Sequence, residues 1–161
     1  MANYPKRRSG LWELVSSMTD SLSPAQRVKT MQAVKSSGTR PELLARRLCR
    51  ELGMPGYRLN RTDIAGKPDI AFIGRKLAIL VHGCFWHRHA CKAGTKVPAT
   101  NLEYWTRKFG RNVERDKSAM NALKGAGWAV LTLWECELAN EVTVRRILRD
   151  FFRKHGRSET K

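Results

Sequence analysis

Acidic side chains are scarce in this chain: 14 Asp and Glu stand against 31 Lys and Arg, a formal net charge of +17 over 161 residues. That imbalance excludes a basic ligand and predicts a polyanionic partner held through counterion release. Long apolar runs are missing too. The longest, Leu77 to Val81, is strand-sized and far short of the roughly 20 residues of a membrane span, so no membrane role is expected. The opening residues carry no secretory pattern, and a cytoplasmic, nucleoid-associated setting of prokaryotic type is expected. Cysteine is limited to positions 49, 84, 91 and 136. Without a sign of export, and with two of the four beside histidines, metal binding is favoured over disulfides.

What is present suits one domain with one core. Residues 1–22 read as a basic, flexible arm carrying Lys6, Arg7 and Arg8; a folded domain spans 23–155, and 156–161 is a frayed tail. Ser23-Pro24 opens a first helix to about Lys35. Thr39-Arg40-Pro41-Glu42 opens a second as a capping box. Leu44, Ala45, Leu48, Cys49 and Leu52 mark its core face, while Arg46, Arg47 and Arg50 are expected on solvated or phosphate-facing sides. Asp69 to Ile73 and Leu77 to His82 flank Gly74-Arg75-Lys76 as a hairpin, with a weaker strand at Tyr57 to Asn60. Two helices are expected at Asn101–Phe109 and Asn112–Lys124, separated at Gly110. A buried strand at Trp128–Glu135 and a helix at Val142–Lys154 complete an α/β pattern: a mixed sheet flanked by helices.

Three constellations carry chemistry. Cys84, His89 and Cys91 cluster in one loop, and Cys136 follows the next expected strand. Thiolate and imidazole are zinc ligands, and this set would close a tetrahedral site that staples the loop to a strand end. The spacing is not that of a standard finger, so a core role for Cys136 and a phosphate contact for His89 stand as alternatives; Cys49 reads as core. Asp69, at the mouth of the hairpin, can hold a hard cation such as magnesium together with a carbonyl and phosphate oxygens. His87 lies just past the hairpin's other end, where an imidazole suits a general base near neutral pH, and Asp116 can orient it. A plain surface histidine and an Asp116–arginine pair are the competing interpretation. Phe85-Trp86 either anchors its loop in the core or unstacks bases. Trp105, Lys108, Asn112 and Asp116 recur at helical spacing, joining a ring, a cation, an amide suited to base edges and a carboxylate; a core role for Trp105 is the alternative.

The string Val81-His82-Gly83-Cys84-Phe85-Trp86-His87, followed by His89 and Cys91, resembles the very short patch repair (Vsr) mismatch endonucleases. Lys96-Val97-Pro98-Ala99-Thr100, Asn112-Val113-Glu114-Arg115-Asp116 and Trp134-Glu135-Cys136 extend the resemblance, which spans about Ser23 to Leu138. It implies a restriction-endonuclease-like fold, a monomer, catalytic magnesium and structural zinc. It further implies DNA repair by a single-strand nick on the 5′ side of the thymine in a T:G mismatch, the product of 5-methylcytosine deamination. Duplex DNA is then the substrate, with mismatch-repair proteins as candidate partners. By the same resemblance, Asp69 and the Val81 main-chain oxygen hold magnesium, His87 is the general base, Asp116 is its partner, and Glu42 and His82 support the site. Cys84, His89, Cys91 and Cys136 are the zinc ligands. Phe85, Trp86 and Trp105 match a major-groove wedge, Met31 a minor-groove intercalator, and Lys108 and Asn112 positions near the mismatched bases. Arg88 and Ala90 interrupt a histidine run found in some relatives, and Val81 replaces a hydroxyl residue. The alternatives are a nickase with sequence or other-lesion specificity and a non-cutting binder of distorted DNA; Asp69, His87 and Asp116 together argue against the binder.

Overall fold

The structure, a computed structural model, describes Ser23 and residues 37–156. Helix α1 (Arg40–Glu51), strands β1 (Ile70–Phe72) and β2 (Leu77–His82), helix α2 (Leu102–Gly125), strand β3 (Ala129–Trp134), short helix α3 (Glu135–Leu138) and helix α4 (Glu141–His155) follow in that order. The expected first helix beyond Ser23, Met31 on it, the arm at 1–22 and the tail from 157 onward lie outside the described residues. Among the described residues, no helix is long and apolar enough to cross a membrane.

Helix α1 begins as its sequence dictates. Thr39, in extended backbone, accepts the Glu42 amide at 3.4 Å, and the Glu42 carboxylate reaches back to the Thr39 amide at 3.5 Å. Its apolar face buries Ala45, Leu48 and Cys49 completely. One expectation fails here. Arg46 is neither solvated nor phosphate-facing: it turns inward and donates to Glu42 at 2.7 Å, the two side chains being only 12% and 6% exposed. Glu42 is a buried carboxylate, and an uncompensated charge there would be costly, so the arginine one turn along follows it in.

The sheet has the order β1-β2-β3 among the described residues, antiparallel across β1–β2 and parallel across β2–β3. A 3₁₀ turn at Ile73–Arg75, closed by Lys76 at φ 48°, reverses the hairpin. Central β2 is buried from Leu77 to Leu80, whereas β3 is half-buried except at Leu133. Among the described residues, the strand expected to be buried is thus an edge, paired with β2 alone. Val144, Leu148 and Phe152 of α4 and Leu48 of α1 pack with Ile70, Ile79 and Leu133 in one core.

Two more differences have simple causes. The weak strand at Tyr57–Asn60 reduces to one bridge, Arg58 to Ala71. The two helices expected around Gly110 are one continuous helix of 24 residues. A mid-helix glycine costs about 1 kcal/mol, and burial of Phe109 and Leu123, at about 1.5–3 kcal/mol each, outweighs it.

Candidate active site

The mouth of the hairpin is built by close packing. Asp69 stands one residue before β1, not on it, and its Oδ2 accepts the Val81 amide at 2.7 Å, which fixes the carboxylate across the two strands. Gly66, at φ +73°, presses the preceding loop onto α2, where a Cβ would come within 2.6 Å of the Ala119 methyl. Ala119 lies three residues past Asp116, so this contact draws Asp69 toward that carboxylate. Burial, with the nearby Glu42 charge, raises Asp69 to about 6, against the opposing pull of the Val81 amide.

Opposite Asp69, the His87 Nδ1 and Asp116 Oδ2 share a short hydrogen bond. A proton on Nδ1 leaves Nε2 as the basic nitrogen. The His82 ring stacks on His87, with centroids 4.0 Å apart and planes within 9°. Burial, then the adjoining His87, pushes His82 down to about 4, so it is neutral near pH 7. Glu42 is held from several sides: Oε2 accepts Gly38 and Arg46, and Oε1 accepts the Thr39 hydroxyl at 2.9 Å. It is a fixed anion and not a mobile base.

A cleft of 660 Å³ joins these groups, with Glu42, Asp69, Val81, His82, His87 and Asp116 all on its wall. The structure therefore brings together every described residue that the sequence nominated for this centre. It adds Lys67, Arg115 and Glu135, which sequence reasoning passed over. Their signal was adjacency: Lys67 precedes Pro68-Asp69, Arg115 precedes Asp116, and Glu135 precedes Cys136. Chemically, a carboxylate and an imidazole backed by a second carboxylate can hold a cation and accept a proton within one space.

The second cluster lies just beyond. One donor atom from each of Cys84, His89, Cys91 and Cys136 falls within 4.8 Å of the others. His89 Nδ1 is 3.4 Å from Cys136 Sγ and 3.9 Å from Cys84 Sγ. A tetrahedral ion bound by thiolates and imidazole sets its donors roughly 3.5–3.8 Å apart, so the set fits a metal. Burial pushes the Cys84 thiol up to about 12, while the His89 ring and the Gly94 amide pull Cys91 down to about 6. Gly94 is needed for that approach, since a Cβ there would run into the His89 carbonyl. The core alternative for Cys136 does not hold: it is exposed, whereas Cys49 is buried in the apolar core.

The aromatic residues form one cluster. Phe85 meets Trp86, Trp105 and Phe109 edge-on, with centroids 5.1, 5.7 and 5.2 Å away. Trp105 is only 6% exposed. Lys108 Nζ lies 5.8 Å from the rings of both Trp86 and Tyr104, and Asn112 Nδ2 donates to the Trp86 carbonyl at 3.0 Å. Asn112 thus braces the aromatic loop from α2. Arg88 caps Phe109 at 4.5 Å and donates to the Lys96 carbonyl at 2.6 Å, latching the loop's two halves.

Comparison with known proteins agrees with this geometry. The family model described as DNA mismatch endonuclease Vsr matches residues 19–93. The chain is 44% identical over 135 residues to the type II nicking enzyme V.XorIIP of Xanthomonas oryzae pv. oryzae, covering 81% of this chain and 98% of that one. It is 40% identical over 123 residues to the DNA mismatch endonuclease Vsr of Escherichia coli, covering 75% and 76%. With the type II nicking enzyme V.NaeI of Lentzea aerocolonigenes it shares 42% identity over 120 residues, covering 70% and 69%. A cleft fit for phosphodiester chemistry, a metal-ligand cluster and these likenesses converge: the chain belongs to the Vsr DNA mismatch endonuclease family and is a DNA endonuclease.

Proposed function

We propose that this endonuclease acts as a monomer on duplex DNA and hydrolyses one phosphodiester bond on the 5′ side of the thymine in a T:G mismatch, with magnesium at the hairpin mouth and zinc in the Cys/His cluster. One observation carries the reading. Asp69 and the hydrogen-bonded His87–Asp116 pair line the same cleft. A general base and a cation site must face one phosphate to act together.

The residues suit magnesium, which keeps several waters and takes few protein ligands. Asp69 is half-buried and reluctant to ionise alone, a condition that a cation relieves; the Val81 carbonyl is the second protein oxygen of this reading. When bound, the cation supplies charge stabilisation at the scissile phosphate and makes water a better nucleophile. Asp116 accepts a hydrogen bond from the His87 Nδ1–H and holds the ring so that Nε2 takes the proton of the attacking water. His82, neutral near pH 7, supports that ring without adding a charge that would oppose its protonation. Glu42, fixed by Thr39, Gly38 and Arg46, supplies a static negative charge beside Asp69. Phe85, Trp86 and Trp105 act as the wedge from one groove and Met31 from the other, with Lys108 and Asn112 near the mismatched bases. Cys84, His89, Cys91 and Cys136 as zinc ligands hold the loop that carries His87.

The test is a duplex with one T:G pair in randomised flanking sequence, incubated with magnesium. A single nick in the thymine strand is expected. Its absence in every context would end this reading. The relatives named type II nicking enzymes favour a second one, sequence-directed nicking. Equal cutting of matched and mismatched duplexes would select it.

A further inference from the structure

We propose that Arg107, Arg111 and Arg115 form a rail along α2 that holds three successive phosphates of the strand to be cut. The proposal rests on the reading that duplex DNA enters the cleft, and it names how that strand is registered against it.

The three arginines recur every four residues on one uninterrupted helix, so they advance about 6 Å per step along its axis. Phosphates of one B-form strand rise about 3.4 Å per nucleotide along the duplex, and the winding of the strand lengthens the through-space step to the same scale. Long guanidinium side chains absorb the remaining difference. The rail also points somewhere. Arg115 lines the cleft with Asp69 and His87, whereas Arg107 lies two turns away, toward the N-terminal end of α2 that also carries Trp105 and Lys108. The row is offset by one residue from Lys108, Asn112 and Asp116, so it runs alongside them from the cleft toward the aromatic cluster.

These three arginines are held more loosely than the four that are locked to carboxylates. Arg46, Arg47, Arg61 and Arg145 each hold a carboxylate at 2.6 or 2.7 Å. Arg107 is 3.6 Å from Glu103 and Arg115 is 3.8 Å from Asp116, with the two arginine side chains 69% and 67% exposed. Arg111 is exposed, and no ion pair of it occurs among the described residues. Loose exposed pairs contribute little, so a phosphate displaces them at small cost. The consequence is a ruler: with the aromatic residues seated at a distorted base pair, the spacing from Arg107 to Arg115 determines which phosphodiester meets His87.

The experiment uses the full chain, a matched duplex and no added divalent cation, so that it reads binding even if mismatch nicking is absent. Changing Arg107, Arg111 or Arg115 singly to Gln should reduce the slope of log K against log salt by about 0.9 each, and by about 2.7 in the triple variant. Lys at the same positions should restore the slope. Glutamine is a good helix former, and unchanged circular dichroism separates lost contacts from lost structure. In a second arm, single neutral methylphosphonates are walked along each strand. Three consecutive positions on one strand should weaken the wild-type protein, and each Gln variant should lose sensitivity at one of them. An unchanged slope in the triple variant, or sensitive positions that are scattered, would overturn the rail. If T:G nicking proceeds while slopes stay unchanged, the rail fails alone; if slopes fall but no nick forms, the mismatch reading fails alone.

Discussion

Two groups of potential ligands sit a few residues apart in this molecule and are built for opposite purposes. Cys84, His89, Cys91 and Cys136 converge with four donors, and one ion would use all of them. His82, His87 and Asp116 also converge, yet they open onto a cleft shared with Asp69, with His87 hydrogen-bonded to Asp116 and stacked on His82. A closed set of soft donors holds an ion and stabilises structure; an open set of oxygens and imidazoles leaves room for substrate. The loop between β2 and α2 explains why both are needed. It spans residues 83–101 with no helix or strand of its own, so the Cys/His cluster, the Arg88 latch and the Asn112 brace hold the loop, and the Asp116 hydrogen bond and the stacked His82 ring then fix where His87 points.

The strongest way to break the contrast is to remove a ligand from the closed set. Cys91→Ser should lose the zinc proposed for this cluster, unfold the loop and abolish nicking together, because a structural metal contributes folding free energy directly. Metal content by mass spectrometry and the thermal transition check this; full zinc occupancy in the variant would dissolve the distinction between the two clusters. Asp69→Asn should do the reverse: nicking disappears while zinc content and duplex affinity persist. Retained turnover would remove the cation from the hairpin mouth. A smaller effect is expected at the base. His87→Ala should slow single-turnover nicking on the order of 10²–10⁴-fold, with zinc content unchanged, and a loss of zinc instead would make His87 part of the structural set.

How much of this was legible in the sequence depends on range. Periodicity and capping located α1, the hairpin and α4, because Thr39-Glu42 and the alternation of apolar residues are local signals. Gly110 misled because a local propensity of about 1 kcal/mol was weighed without the long-range burial of Phe109 and Leu123 that overrides it. Arg46 misled similarly: four residues from Glu42, it offered a legible pair, but nothing local says that Glu42 is buried. For the centre itself, residue chemistry alone left each histidine and cysteine ambiguous. Only motif order, recognised as a family pattern, nominated them as a set, and the fold then brings the described members to one cleft and one adjoining cluster. The edge position of β3 and the closeness of Gly66 to Ala119 are products of tertiary packing, and no short window carries them.

The smallest effect concerns two opposed titrations in the open set. Asp69 is raised from 3.8 to about 6, so the folded state holds its proton more tightly than the unfolded chain does. Its stabilisation is present below pH 3.8 and is lost as pH rises through about 6. His82 is lowered from 6.5 to about 4. Its stabilisation is present above pH 6.5 and is lost as pH falls through about 4. Between about pH 4 and 6 the two slopes have opposite signs, each on the order of 3 kcal/mol in total, and they largely cancel. Asp69→Asn removes one of them and exposes the other. Measured by urea unfolding without magnesium, the stability of the variant relative to wild type should therefore rise with pH across that window. Titrations shared by both proteins, those of the Cys/His cluster included, drop out of this difference. A pH-independent difference would mean that Asp69 is ordinarily solvated, and the proposed cation site would lose the half-buried carboxylate it is built on.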